Sequence, residues 1–226
     1  MLVLIDSFVS SVNQTGDSIR DLPNRTTGAA ETPFGTVHYD ELDDTVVLYR
    51  EAEQNPKALA YAARVLGGTW VIGVVRDGGV ERPSTPGNYI EFTSGRPTTF
   101  FETIGTGYVQ QDPPYCPELR QTLLEAGAEE RDNLLVLDTL PTLEVRDWWL
   151  AHDVSLISAE SQPEGALCRE LELCYAVLAL PTAMTITEML PDILTHLPAE
   201  RTCPCDQLMA TARKFGKLTA DWFEHL

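Results

Sequence analysis

An α/β fold built on a mixed sheet is what this chain predicts, and three observations carry the prediction. Short apolar β-type runs alternate with stretches of helical period along most of the 226 residues. Two of the runs, Trp70–Val75 and Cys174–Leu180, are almost wholly apolar, the mark of buried strands. Turn-forming clusters separate the elements, among them Thr32-Pro33-Phe34-Gly35, Gly67-Gly68 and Arg76-Asp77-Gly78-Gly79. With 43% apolar residues and no repeat, low-complexity tract or internal linker, a single domain over residues 1–226 is expected.

In chain order, Met1–Ile5 reads as a first strand: it is apolar, stops at Asp6 and lacks the basic leader of a signal peptide. Residues 10–31 are rich in Ser, Thr, Asn and Gly and are expected to form a long surface loop. Thr36–Tyr39 and Thr45–Arg50 follow as β-type runs. Asn55-Pro56 opens a helix, since Asn caps and Pro is preorganised for the first helical position. Its apolar face is Ala58, Leu59, Ala62, Val65 and Leu66, and Gly67-Gly68 ends it. After the strand Trp70–Val75, residues 80–88, with two prolines, predict a loop, and Tyr89–Phe92 extends again. Pro117 opens a helix running to Gly127, Leu134–Asp138 is a strand, and Pro141–Ala151 is a helix carrying Trp148-Trp149. Both tryptophans cannot face the core of one helix, so one is expected at a subunit contact or a cavity wall. Val154–Ser158 is a strand, Pro163–Leu171 a helix and Cys174–Leu180 the last strand. Two helices close the chain, the second near Asp206–Phe223 with Leu208, Ala212, Phe215 and Trp222 near one face.

A net charge of −18 with no basic stripe argues against nucleic acid as a partner. It also disfavours polyanionic substrates unless a local cationic pocket overrides the field. No apolar run approaches the ~20 residues of a membrane helix, and a cytoplasmic protein is expected. Five cysteines, an odd number, do not form a secreted disulfide framework. Cys116, Cys168 and Cys174 read as buried thiols. Cys203-Pro204-Cys205 supplies two sulfurs where a zinc site wants four, with no His or Cys pair nearby in sequence, so no metal is expected. Two ordinary thiols or a redox-sensitive pair remain as readings. His38, His152, His196 and His225 show no ligand spacing, Ser161 and Cys168 lack an evident base, and Gly105-Thr106-Gly107 reads as a plain turn.

Several segments, in order, resemble the trimeric purine nucleoside phosphorylases, and above all the 5'-methylthioadenosine phosphorylases. Thr32-Pro33-Phe34-Gly35 is similar to a TPFG turn of that family, and Asn55 to Gly67 matches its NYRAN…LG helix in length and pattern. Gly95-Arg96-Pro97-Thr98-Thr99-Phe100-Phe101 resembles GRPxTFF, and Tyr115-Cys116-Pro117-Glu118-Leu119-Arg120 resembles FCPELR. Pro163-Glu164, Arg169-Glu170 and Cys174-Tyr175-Ala176 are similar to a VPExxLAREAGICYA stretch, and a Cys-x-Cys near the C-terminus recurs in some members. The resemblance implies the phosphorylase-type mixed sheet, curled into a distorted barrel and flanked by helices. It also implies a homotrimer with sites near subunit contacts, and no cofactor.

The same resemblance locates departures. The family's glycine-rich phosphate loop falls on Asp6-Ser7-Phe8-Val9, and its Arg-His-Gly motif on Arg50-Glu51-Ala52, followed by a deletion. The NAVGS-like turn becomes Val75-Arg76-Asp77-Gly78-Gly79. EGPRFET aligns with Asp138–Glu144, the ribose-contacting Asn-Met-Thr with Ser158-Ala159-Glu160, and the purine-reading TDYD with Thr182-Ala183-Met184-Thr185. Phosphorolysis needs a bound anion, an oriented ribose and an activated leaving group, and all three sets are altered. Several replacements sit just past strand ends, where open α/β sheets place ligands. Asp138, Glu160 and Arg76 are therefore the candidate catalytic groups. Asp6, Ser7, Arg50, Arg76, Asp77, Ser158, Glu160 and Thr182 are the candidate ligand contacts. Three functions stand open: a pocket rebuilt for another small molecule without phosphorolysis, a catalytically silent subunit beside an active paralogue, or residual phosphorylase or nucleosidase activity.

Overall fold

The computed structural model describes residues 1–7, 24–51, 54–77, 79–102, 109–215 and 218–226. Phe8, Val9, Ala52, Gly78 and the Gly105-Thr106-Gly107 turn lie outside them, as does most of the loop expected over 10–31. Among the described residues nine strands form one sheet: β1 (Leu2–Ser7), β2 (Thr26–Thr32), β3 (Gly35–Leu42), β4 (Thr45–Arg50), β5 (Trp70–Arg76), β6 (Ser84–Phe92), β7 (Glu129–Leu137), β8 (Leu156–Ser158) and β9 (Cys174–Leu180). Their order is β2-β3-β4-β1-β5-β9-β6-β7-β8. β4, β1, β5 and β9 run parallel, as do β6, β7 and β8. β2-β3-β4 is an antiparallel meander. The two halves meet antiparallel at one register pair, Ser84 with Ala179. The expected mixed sheet is present, but its hydrogen-bonded order has two ends and is open instead of closing as a barrel.

Side chains alternate across the pleat, so the central strands feed two cores. Val3, Ile5, Val71, Val75, Tyr175 and Val177 pack on one side with helices α1 (Pro56–Val65) and α4 (Glu164–Glu170). Leu2, Leu4, Ile72, Val74, Ala176 and Leu178 pack on the other with α2 (Pro117–Glu125) and α5 (Leu190–His196). Burial on both faces explains why β5 and β9 read as continuous apolar runs. Helix α1 begins as its sequence dictates: Asn55 Oδ1 accepts from Lys57 N at 3.0 Å, and Pro56 fills the first position. It ends at Gly67, whose φ of 85° suits glycine. Val65, expected on the apolar face, is exposed.

Three expectations are corrected. Thr26–Thr32 is an edge strand, not loop. Its identity comes from tertiary pairing: Asp40, buried, accepts from Arg25, Thr27 Oγ1 (2.9 Å) and Tyr49 Oη (2.6 Å), tying the meander together. Gly28 is required there, since a Cβ would meet the Tyr39 ring at 2.4 Å. Second, β6 starts at Ser84, inside the predicted loop, because Pro86 is accommodated in register with Arg131 and uses its carbonyl to accept from Arg120 Nε at 3.0 Å. Third, the helix expected near Asp206–Phe223 is replaced by a 3-10 turn at Pro204–Gln207, a short α6 (Ala210–Lys214) and a 3-10 turn at Trp222–His225. Glu172 draws this segment inward, accepting from Met209 N at 2.9 Å and from both Arg213 Nη atoms at 2.7 Å. Phe215, expected on its apolar face, is exposed.

The motifs that resembled the family are scaffold. Arg96 donates to the carbonyls of Gln162 (2.8 Å), Ala159 (3.2 Å) and Leu137 (3.3 Å). Buried Glu170 accepts from Thr99 Oγ1 (2.7 Å) and Phe100 N (2.8 Å), seating Phe100 and Phe101 against Trp222. No helix among the described residues is long and apolar enough to cross a membrane.

Candidate functional site

Parallel pairing brings the C-terminal ends of β1, β4, β5 and β9 to one side: Ser7 lies opposite Arg50 and Arg76 opposite Leu180. Two ion-pair systems occupy that end of the sheet, on opposite faces: Arg50 follows Val46 and Leu48 on the side of α1 and α4, while Asp6 and Arg76 follow Leu4 and Val74 on the side of α2 and α5. Arg50 is largely buried, with Nε 2.7 Å from Glu164 Oε1 and Nη1 3.5 Å from Glu160 Oε2. Burial alone would lower the arginine pKa, but Glu164 first and then Glu160 outweigh it and hold the guanidinium charged. Asp6, one register step from Arg50, pairs with Arg76 at 3.3 Å. Glu164 stands at the start of α4, where a carboxylate also meets the positive end of the helix.

Behind Arg50 lies a polar floor. Tyr175 Oη donates to Ser161 O at 3.0 Å, and burial, then Glu164, push its pKa well up. The Tyr175 ring needs the space that Gly73 leaves, because a Cβ there would sit 2.1 Å from its hydroxyl. Ser161 Oγ and both polar atoms of the Gln162 amide are buried without a hydrogen-bond partner among the described residues. Such groups favour a polar occupant over an apolar one.

The predicted residues do not all gather in one place. Arg50 and Glu160 come together on the α4 side, with the backbone of Ser7 beside Arg50, while Asp6 and Arg76 pair on the opposite face. Asp77 and Ser158 are buried structural ties. Asp77 accepts from Ile157 N (2.9 Å), Gly79 N (2.8 Å) and Arg146, linking β5 to β8, while Ser158 Oγ accepts from Glu160 N at 3.0 Å. Asp138 is drawn away: its carboxylate accepts from Ser94 N and Oγ (3.0 and 2.9 Å) and lies 3.4 Å from Arg96 Nε. Thr182 is exposed just past β9. Residues the site reading missed are Glu164, legible only as part of a scaffold motif, and Gln162 and Tyr175, whose polar roles depend on burial. A surface cavity of about 510 Å³, bordered by Asn88, Arg120, Arg131 and Asp153, holds none of the predicted residues.

No family model matches the chain. A purine nucleoside phosphorylase of Streptomyces coelicolor is 30% identical over 199 residues, covering 67% of this chain and 71% of that protein. The chain belongs to the purine nucleoside phosphorylase family. An S-methyl-5'-thioadenosine phosphorylase of Mycobacterium tuberculosis is 33% identical over 135 residues, 56% of this chain and 51% of that one. The phosphorylase fold is matched across nearly the whole chain. A methylthioadenosine phosphorylase from an antarctic soil metagenomic library superposes with a TM-score of 0.72 at 17% identity, covering 97% of this chain and 95% of that one. The Schistosoma mansoni methylthioadenosine phosphorylase in complex with tubercidin gives 0.65 at 18% identity, covering 99% and 95%.

One further cluster corrects the sequence reading. Cys203 and Cys205 do have a cysteine pair beside them: the sulfurs of Cys116, Cys174, Cys203 and Cys205 all lie within 4.8 Å of one another. The physical reason is topological. Cys116 N donates to Tyr175 O at 2.8 Å, setting the start of α2 beside the start of β9, and the C-terminal segment crosses over both. The expectation of no metal-ligand set rested on spacing along the chain, and spacing could not reveal this convergence.

Proposed function

We propose that this phosphorylase-family protein does not carry out phosphorolysis and binds a neutral or cationic small organic molecule at the rim formed by β1, β4, β5 and the loop after β8. One observation carries the reading: Arg50, on which the family's phosphate-binding arginine falls, is enclosed by Glu160 and Glu164. Among the described residues on this face of the sheet, one cation stands between two carboxylates. A phosphate dianion entering there meets net repulsion, reinforced by the chain's charge of −18. Of the candidate catalytic groups, Glu160 is read as the one that holds or moves a proton on the ligand, since Arg76 pairs with Asp6 on the other face and Asp138 accepts from Ser94. Copies of the chain are read as a homotrimer, with exposed Phe92, Leu143 and Trp148 on the contact face, and five free thiols suit the cytoplasm.

The test is a pair of measurements on the intact protein. Methylthioadenosine and inosine, with and without phosphate, are expected to give no phosphate-dependent base release. Calorimetric titration with inorganic phosphate is expected to give no binding heat, and Glu160→Thr, which removes one carboxylate from Arg50, to gain measurable affinity. Base release at an ordinary enzymatic rate that requires phosphate overturns the proposal.

A further inference from the structure

The four converging thiols lie at the end of the sheet opposite the Arg50 rim. Cys174 opens β9 and Leu180 closes it, so the two sites are separated by about 20 Å of strand. We propose that Cys116, Cys174, Cys203 and Cys205 bind one zinc ion as a tetrahedral four-cysteine structural site that fastens the C-terminal segment to the sheet.

Three features of the surroundings support it. The first is geometry. Zinc–thiolate bonds of about 2.3 Å at tetrahedral angles require sulfurs ~3.8 Å apart. Cys203 Sγ lies 3.5 Å from Cys116 Sγ and 3.3 Å from Cys174 Sγ, and every pair falls within 4.8 Å. An ion at the centre needs the two short pairs to open by a few tenths of an ångström and any pair near the upper limit to close.

The second is charge. A zinc ion held by four thiolates carries two net negative charges, and two arginines face the cluster. Arg201, which donates to Glu172 O and lies 3.7 Å from Asp206, interacts electrostatically with Cys174 and Cys203, and Arg169, whose burial lowers its pKa, does so with Cys205, Cys116 and Cys174. Arg169 Nε is buried with no hydrogen-bond partner among the described residues, as a cation facing an anionic cluster can be. The third is the support of the ligands. Cys116 is the N-cap of the nine-residue α2, and its sulfur accepts from Leu119 N at 3.4 Å, a backbone contact that fixes the direction of the ligand.

Binding balances simply: the zinc dication enters, the four sulfurs coordinate as thiolates, and the protons they held pass to solvent, with no change of oxidation state. Cys168, the fifth cysteine, is buried in the other core and takes no part.

The experiment uses the full chain, produced with zinc and kept under reductant. Metal analysis after exhaustive dialysis is expected to find one zinc per chain, lost in the double variant Cys203→Ser/Cys205→Ser and kept in Cys168→Ala. Chelator is expected to lower the melting temperature of the wild type and leave the double variant unchanged. Should the double variant fail to fold, cobalt loading of the wild type decides: intense thiolate-to-cobalt bands with tetrahedral d–d absorption support the site. No retained zinc, an absent or octahedral cobalt spectrum, or mass spectrometry showing two disulfides among the four cysteines in the zinc-supplied protein overturns it.

Discussion

Arg96 and Arg50 are both sheltered arginines, yet they are held in opposite ways. Arg96 grips mainly backbone: three carbonyls, from the end of β7 and the loop after β8, with the partly exposed Asp138 carboxylate 3.4 Å from its Nε. Arg50 grips side chains, Glu164 and Glu160. A backbone partner cannot be exchanged by point substitution, so the Arg96 motif stays recognisable for as long as the fold persists. A side-chain partner can change in one step, and the charge around Arg50 can be rewritten while the strand beneath it is untouched. The difference separates a scaffold that keeps its sequence from a site that does not.

Breaking each arginine's environment sharpens the contrast. Arg96→Ala leaves three carbonyls without their donor and is expected to lower unfolding free energy by about 3 kcal/mol in urea titration. Glu164→Ala removes the nearer carboxylate from a buried guanidinium but leaves Glu160, so about 2 kcal/mol is expected from the same measurement. If the two losses came out in reverse order, the backbone clamp would not be the stronger tie. Glu170 beneath the Arg96 motif adds a pH signature. Burial is the largest influence on it and raises its pKa, so the folded state holds the proton more tightly than the unfolded chain. Its contribution is therefore fully present below the unfolded value and declines as pH rises through the raised one. Glu170→Gln is expected to flatten that decline in a pH series of melting temperatures. Smallest of all, Glu160→Ala is expected to change stability by about 0.5 kcal/mol or less, as a partly exposed partner at 3.5 Å from an arginine that keeps Glu164. A large loss there would make Glu160 structural and unavailable to a ligand.

What the sequence revealed follows the same division. β5 and β9 were legible because burial on both faces leaves an apolar run, and α1 because Asn55, Pro56 and Gly67 mark its ends. β2 was not: Thr26–Thr32 is an exposed edge whose order depends on Asp40 and Tyr39, side chains a full hairpin away. The C-terminal helix failed because Glu172 recruits Met209 and Arg213 across the fold. At the site, strand-end position pointed to residues that do form ion pairs, Arg50 with Glu160 and Asp6 with Arg76, but position alone could not tell that the two pairs lie on opposite faces of the sheet. Asp77 and Asp138 shared that position, but hydrogen bonds to Ile157 N and Ser94 N turn their carboxylates to structure. The four-sulfur cluster was invisible because its members are distant in sequence and meet only once β9 pairs with β5.

That last pairing also bears on the order of assembly. Strands β6, β7 and β8 belong to one continuous stretch, Ser84 to Ser158, and pair with one another before the rest of the chain is needed. The other half is complete only when Cys174 returns to lie beside Trp70, closing a loop that contains the whole first unit. Among the described residues, Ser84 and Ala179 are the one register pair between the two halves, which makes a seam in the sheet. Loop closure of that length is entropically slow compared with the local pairings. The half carrying Arg50 is thus expected to form later, and the seam to be the weaker join in local opening.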